Sequence, residues 1–296
     1  MREGHASRTA EQNALFRALE SSRPEPERIC DDPLARHFLN WPLTLVRQLA
    51  AIPGGGSFAT SYIDRHWPGV RSSVVARTRL IDDAIATALD HHIEQLVILG
   101  AGFDSRAYRM SRLGSVDVFE VDHPDTQAAK QRVLKRLFHA LPAHVRFVGV
   151  DFKRDDLMTA MRLAGYRDGA RTFILWEGVT NYLTDEAVDS TLRWCSRASE
   201  GSLLLFTYVD RAVLMQPSAF TGTKNLFASL EKAGERFTFG IEPSRMPQYL
   251  AERGLALEQD VGAAEYRERY FGAAARKIRG HEFYRVALAR VARQAA

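Results

Sequence analysis

The stretch LVILGAGFDSRAYR, beginning at Leu96, constrains this chain more than any other. It is an apolar run that passes directly into Gly100-Ala101-Gly102 and then into residues of helical character. A strand that is apolar at every position must be covered on both faces, as strands of a parallel sheet are. Glycine at two positions of the following turn lets the backbone bend tightly and lets a ligand approach it. Runs of the same kind recur as VDVFEV at 116–121, VRFVGV at 145–150, TFILW at 172–176 and SLLLF at 202–206. Helical segments separate them, including Pro124 to His139, with proline in the first turn, and Thr184 to Ser199, with Thr184 as a cap ahead of Asp185 and Glu186. The tail continues with a helix near Ser244 to Arg253 closed by Gly254, a strand near Leu255 to Val261, a helical insert, and a last strand within FYRVALARV at 283–291. The alternation predicts an α/β fold, a doubly wound, mostly parallel sheet of seven strands.

Before residue 70 the pattern differs. Ser7 to Glu20 reads as a helix, SSRPEPER as a proline-broken connection, and Leu34 to Ala51 as a short apolar segment that runs into three glycines at 54–56. Those glycines suggest a flexible joint. Residues 1–69 are therefore expected to form an N-terminal helical lid or substrate segment on a core spanning 70–296, whose C-terminal part carries substrate-side insertions. A length of 296 residues also suits two domains, but the unbroken alternation after residue 70 favours one core.

Forty basic against 36 acidic residues leave a net charge of +4, with arginine spread along the chain rather than gathered in a stripe. That argues against a dedicated nucleic-acid binder. Two cysteines, Cys30 and Cys195, make no disulfide framework, and no Cys/His cluster suggests a metal. His91-His92 reads as a helix end. The first residues lack an apolar leader, and no window approaches 18 uninterrupted apolar residues. A cytoplasmic protein without a membrane partner is expected. No GxSxG elbow, HExxH helix or Walker loop is present.

The remaining candidates lie after strands, where open parallel sheets bind ligands. A dinucleotide fingerprint would place a third glycine at 105; this chain has Ser105, which favours a nucleoside ligand. Asp122 follows Gly102 by twenty residues, at the end of the next strand, where a carboxylate can accept bonds from two ribose hydroxyls. Glu120 is its rival, and a helix-capping acid is the alternative reading. Asp151-Phe152 offers an acid and an aromatic for an adenine ring. Trp176-Glu177-Gly178 ends the fourth strand, with Asn181 and Tyr182 following. In the helix spanning 70–90, Val70, Val74, Ile81, Ala84 and Ala88 form an apolar stripe, and Arg77 falls within it. Arg77 therefore points inward and needs an anion, from either the protein or a ligand.

Together VVARTRLIDDAI, LVILGAGFDSRAYR, VFEVDHPDTQAAK, VDFKRDDL and WEGVTNYLT resemble the S-adenosylmethionine-dependent methyltransferases of the leucine carboxyl methyltransferase family, in its bacterial, actinomycete-type branch. The resemblance spans roughly Ser7 to Asp210 and includes SRTA near the start and DDPLA at 31–35. It implies a class I, Rossmann-like methyltransferase with S-adenosylmethionine as methyl donor. It implies that Arg77 clamps the methionine carboxylate, Gly100 and Gly102 form the loop beside the methionyl and ribose parts, and Asp122 binds the ribose. Asp151 and Phe152, the latter where many relatives carry leucine, would contact adenine. Glu177 would lie near the sulfonium and amino group.

The expected activity is methylation of an oxygen on a small molecule, with no metal. Glu177 and Tyr182 are the candidate catalytic residues. A carboxylate acceptor comes first and a hydroxyl, activated by Glu177 or His123, second. Residues 7–20 would close over the site, with Arg8 adding a contact to the ligand carboxylate. An NAD-dependent dehydrogenase and a non-catalytic nucleotide-sensing module are the alternatives.

Overall fold

The computed structural model describes residues 8–52, 55–151 and 155–292. Seven strands form one sheet in the order β3-β2-β1-β4-β5-β7-β6. They are β1 Gln95–Leu99, β2 Asp117–Asp122, β3 Val145–Gly149, β4 Thr172–Trp176, β5 Leu203–Val209, β6 Leu255–Gly262 and β7 Tyr284–Val291. The first five run parallel, and β7 lies antiparallel between β5 and β6. The sheet is mostly parallel and doubly wound, as expected. All five residues of β1 and all five of β4 are buried, which explains their unbroken apolar character.

Five helices precede β2: α1 Arg8–Ser21, α2 Trp41–Ala50, α3 Gly55–His66, α4 Val70–Asp90 and the single turn α5 Arg106–Arg109. After β2 come α6 Pro124–Phe138, α7 Leu157–Leu163, α8 Asp185–Cys195, α9 Ala212–Met215, α10 Thr223–Ala233, α11 Met246–Ala251 and α12 Ala263–Phe271. The expected cap at Thr184 is present, its hydroxyl accepting from Ala187 N at 3.3 Å. One core layer packs α4 and α12 against one sheet face, through Ile81, Ile85, Leu96, Ile98 and Tyr266. The other face is covered through Val188, Leu192, Met161 and Leu250.

α1 packs two faces. Ala14 and Ala18 meet Phe38, Phe103 and Leu134, while Leu15, Phe16 and Leu19 meet Ile63 and Val74. The glycines expected to form a flexible joint do something else. Gly55 and Gly56 open α3, and a Cβ on Gly55 would stand 2.1 Å from the Leu49 carbonyl oxygen. They allow α2 and α3 to meet in a tight corner, so small size is what the positions require; Gly54 lies outside the described residues.

Among the described residues, no helix is long and apolar enough to cross a membrane.

Candidate functional site

The carboxyl ends of β3, β2, β1 and β4 open into one cavity of about 740 Å³. Its floor is the turn after β1, its far wall Asp122 and Asp151, and its near wall Glu177 to Leu183. Thr9, Ala10, Asn13 and Arg17 of α1 roof it, and residues 234–236 and 238 complete the rim. A hollow at the opposite strand ends, lined by Glu94, Asp117 and Arg167, has its charges closed on one another: Arg167 meets Asp117 at 3.2 Å.

The turn after β1 depends on its glycines. Gly100 has φ +66°, and a Cβ there would lie 2.4 Å from Val179 Cγ2. Gly102 has φ +42° and presents its N–H to Asp122 Oδ2 at 2.5 Å. Asp122 Oδ1 also accepts from His123 N at 2.6 Å. Burial raises the Asp122 carboxyl, and these two N–H donors oppose that rise. Asp122 thus braces the loop from the end of β2 while lining the cavity. Glu120 has a different fate. It is 1% exposed and meets Lys130 Nζ at 2.7 Å, away from the cavity wall. Ser105, where a dinucleotide fold has glycine, is buried, and its hydroxyl accepts from Arg109 Nε at 3.2 Å.

Arg77 points inward, with 3% exposure, and the structure gives it a protein partner. Its Nε donates to Glu177 Oε1 at 2.7 Å, and its guanidinium stacks 4.7 Å from the Tyr284 ring centroid. It does not line the cavity; Glu177 does. The other Glu177 oxygen accepts from Arg106 Nη1 at 3.0 Å. Arg106 in turn meets Asp82 at 2.7 Å and Asp104, and Arg109 shares Asp82 at 2.7 Å. Burial alone would push the Glu177 carboxyl up, but Arg77 and Arg106 outweigh it and hold the group below its ordinary value. The same contest brings Asp104 down to about 2, against burial, chiefly through Arg106.

Roof and floor are joined by Arg17, whose Nε donates to Asp32 Oδ2 and Nη2 to the Phe103 carbonyl, each at 2.8 Å. Thr9 Oγ1 donates to Glu235 Oε2 at 2.6 Å, linking the roof to the rim. The rim is tied to the near wall where Thr238 N donates to Asn181 O at 2.8 Å and Thr238 Oγ1 to Leu183 O at 2.7 Å. Tyr182 lines the cavity and packs edge-on against Phe237, and burial pushes its phenol up. Asp151 lies on the far wall. Phe152 and the Arg8 side chain fall outside the described residues.

The cavity therefore gathers Gly100, Gly102, Asp122, Asp151, Glu177 and Tyr182. Sequence reasoning missed Arg17, Asp32, Asp82, Asp104, Arg106, Glu235 and Arg236. Arg106 sits inside the glycine motif, so its charge beside an apolar strand was a usable signal. The other residues meet only through the fold.

Three comparisons bear on this geometry. A profile of the family described as leucine carboxyl methyltransferase matches residues 10–196. A Frankia alni protein named as an S-adenosyl-L-methionine-dependent methyltransferase is 36% identical over 227 residues, covering 76% of this chain and 77% of that one. A Mycolicibacterium smegmatis protein of the same designation is 29% identical over 273 residues, covering 86% and 89%. Among solved structures, a Thermobifida fusca protein named as a methyltransferase superposes with a TM-score of 0.60, at 14% identity, over 95% of this chain and 94% of that one.

Proposed function

This chain belongs to the leucine carboxyl methyltransferase family and is an S-adenosylmethionine-dependent methyltransferase, and from that premise we propose that it methylates an oxygen of a small molecule, a carboxylate in preference to a hydroxyl. The residues present fit the methyl donor. Glycines at 100 and 102 leave two positions of the loop without side chains, and Asp122 keeps lone pairs for ribose hydroxyls beyond the two N–H bonds it accepts. In spatial order β3, β2, β1 and β4 offer Asp151 for adenine, Asp122 for ribose, the glycine turn for the ribose and methionyl parts, and Glu177 for the cationic end. Bound S-adenosylmethionine supplies an electrophilic methyl carbon on a positively charged sulfur.

Glu177 carries the choice of acceptor. A hydroxyl must lose a proton during transfer and needs a base poised to take it. Glu177 has one oxygen on Arg77 and the other on Arg106 and is held in its ionised form. It is suited to oppose a ligand cation and poorly suited to receive a proton. Tyr182, with its phenol pushed up by burial, is suited to donate a hydrogen bond and orient the acceptor. A carboxylate arrives ionised at neutral pH and needs only desolvation and alignment. Its oxygen forms the new bond to the methyl carbon as the carbon–sulfur bond breaks and its electron pair stays on sulfur; one negative and one positive charge are lost, and no proton moves.

The product tests the reading. Incubation of host extract with protein and S-adenosylmethionine is expected to yield a product one methylene heavier that releases methanol in mild alkali. A methyl group that survives alkali overturns the carboxylate assignment. Loss of turnover in His123→Ala at unchanged affinity for the donor would then support the hydroxyl reading.

A further inference from the structure

Four arginines line the cavity among the described residues: Arg17, Arg106, Arg109 and Arg236. Three are already neutralised, Arg17 by Asp32, Arg109 by Asp82, and Arg106 by Asp82, Asp104 and Glu177. Arg236 has no carboxylate, carbonyl or ring partner among the described residues and is exposed. Its neighbour Glu235 is engaged by Thr9. The Arg236 segment is fastened by Thr238 to Asn181 and Leu183, on the side of the cavity past β4 and away from Asp122 and Asp151. With the far wall allotted to the nucleoside, this is the side from which an acceptor enters.

A free guanidinium at that place is a receptor for an anion, and its forked donors suit a carboxylate or phosphate. The reacting carboxylate is a poor match. It loses its negative charge during transfer, so a guanidinium paired with it binds the starting state more strongly than the transition state, and such binding slows the step. A guanidinium holding a group that stays charged has no such penalty and fixes the acceptor's far end.

Building on the carboxylate reading above, we propose that Arg236 binds a second, non-reacting anionic group, so that the acceptor carries two anionic groups and the product is esterified at one of them. The second anion is a carboxylate or a phosphate; both share the chemistry that Arg236 recognises.

The test uses the full chain and its Arg236→Gln and Arg236→Lys variants, both substitutions falling at an exposed position. Binding of straight-chain mono- and dicarboxylic acids of matched length, and of ω-phosphono monocarboxylic acids, is measured on protein saturated with S-adenosylhomocysteine, so no turnover is needed. The expected result is at least tenfold tighter binding of the acids with two anionic groups than of matched monocarboxylic acids, loss of that preference in Arg236→Gln, and partial retention in Arg236→Lys. Whether the dicarboxylic or the phosphono acid loses more affinity in Arg236→Gln distinguishes carboxylate from phosphate. Equal affinities in the unsubstituted protein, or a preference that persists in Arg236→Gln, overturn the proposal. Failure of the carboxylate reading shows up separately, as an alkali-stable product.

Discussion

Arg77 and Glu177, a hundred residues apart in sequence, meet at 2.7 Å where α4 passes the end of β4. The arginine is buried behind the cavity and the glutamate faces into it. Arg77 thereby fixes both the position and the charge of a cavity carboxylate. Removing one partner of a buried pair leaves the other charge uncompensated. Arg77→Ala is expected to cost about 3 kcal/mol in denaturant unfolding, at the low end of what breaking a buried pair costs, because Arg106 still faces Glu177. Arg77→Lys should restore part of the stability. If Arg77→Ala is as stable as the parent yet loses S-adenosylhomocysteine binding, the guanidinium serves the ligand directly.

Asp122 is expected to bind the ribose as well as brace Gly102. Asp122→Ala should weaken S-adenosylhomocysteine by about 10- to 100-fold in calorimetry, the worth of one or two hydrogen bonds to a charged group. Glu120→Ala should lower stability more than affinity, because its carboxylate is committed to Lys130. The reverse pattern would exchange the two roles.

Gly100 and Gly102 should differ in tolerance. Gly100→Ala forces a Cβ against Val179 Cγ2 at φ +66° and is expected to cost about 1–3 kcal/mol. The double substitution Gly100→Ala with Val179→Ala should recover part of that loss, a coupling that a thermodynamic cycle reads directly. Gly102→Ala has no atom nearer than 3.5 Å and should be milder. Equal costs, with no coupling to Val179, would mean that backbone conformation alone matters at both sites.

Acid should weaken the charge network around the cavity. Asp32, Asp104 and Glu177 are all held below their ordinary values. A carboxylate with a depressed folded-state pKa contributes stability that is complete above its unfolded value and is lost as pH falls through the folded one. The share of stability that these three carboxylates contribute, read as the difference in denaturant midpoint between the parent and variants lacking them, should therefore hold steady above about pH 4.5 and fall between there and about pH 2. Asp104→Asn should flatten the lower part of that fall; an unchanged profile would contradict the assignment.

α1 roofs the cavity and is pinned to the floor by Arg17 and to the rim by Thr9. A ligand entering beneath it must loosen these contacts and re-form them. Hydrogen exchange in residues 8–21 is expected to slow on binding S-adenosylhomocysteine and slow further with acceptor. Exchange indifferent to both would rule out closure.

The first five strands and the glycine turn were legible because their signal is local, apolar runs of strand length, and the alternation that follows also placed β6 and β7. Arg77 was legible as an inward charge because helical periodicity reports direction. Its partner was not, since the pairing with Glu177 depends on where α4 lies relative to β4. The network of Asp82, Asp104, Arg106 and Arg109 was hidden for the same reason. At Gly55 composition registers freedom of the chain, whereas the structure adds a second demand that composition does not show, the close approach of the Leu49 carbonyl. Residues 234–238 carry no periodic pattern and owe their place to hydrogen bonds with Asn181 and Leu183.

The match to the family profile ends at residue 196, while Glu235, Arg236 and Thr238 stand on the cavity rim. The nucleoside-facing wall and the rim are thus drawn from separate parts of the gene. Mutation can remodel the rim without disturbing the glycine turn or Asp122, so a single donor pocket can be paired with many acceptors. Exchanging residues 234–238 between members should redirect which molecule is modified while leaving the source of the methyl group untouched.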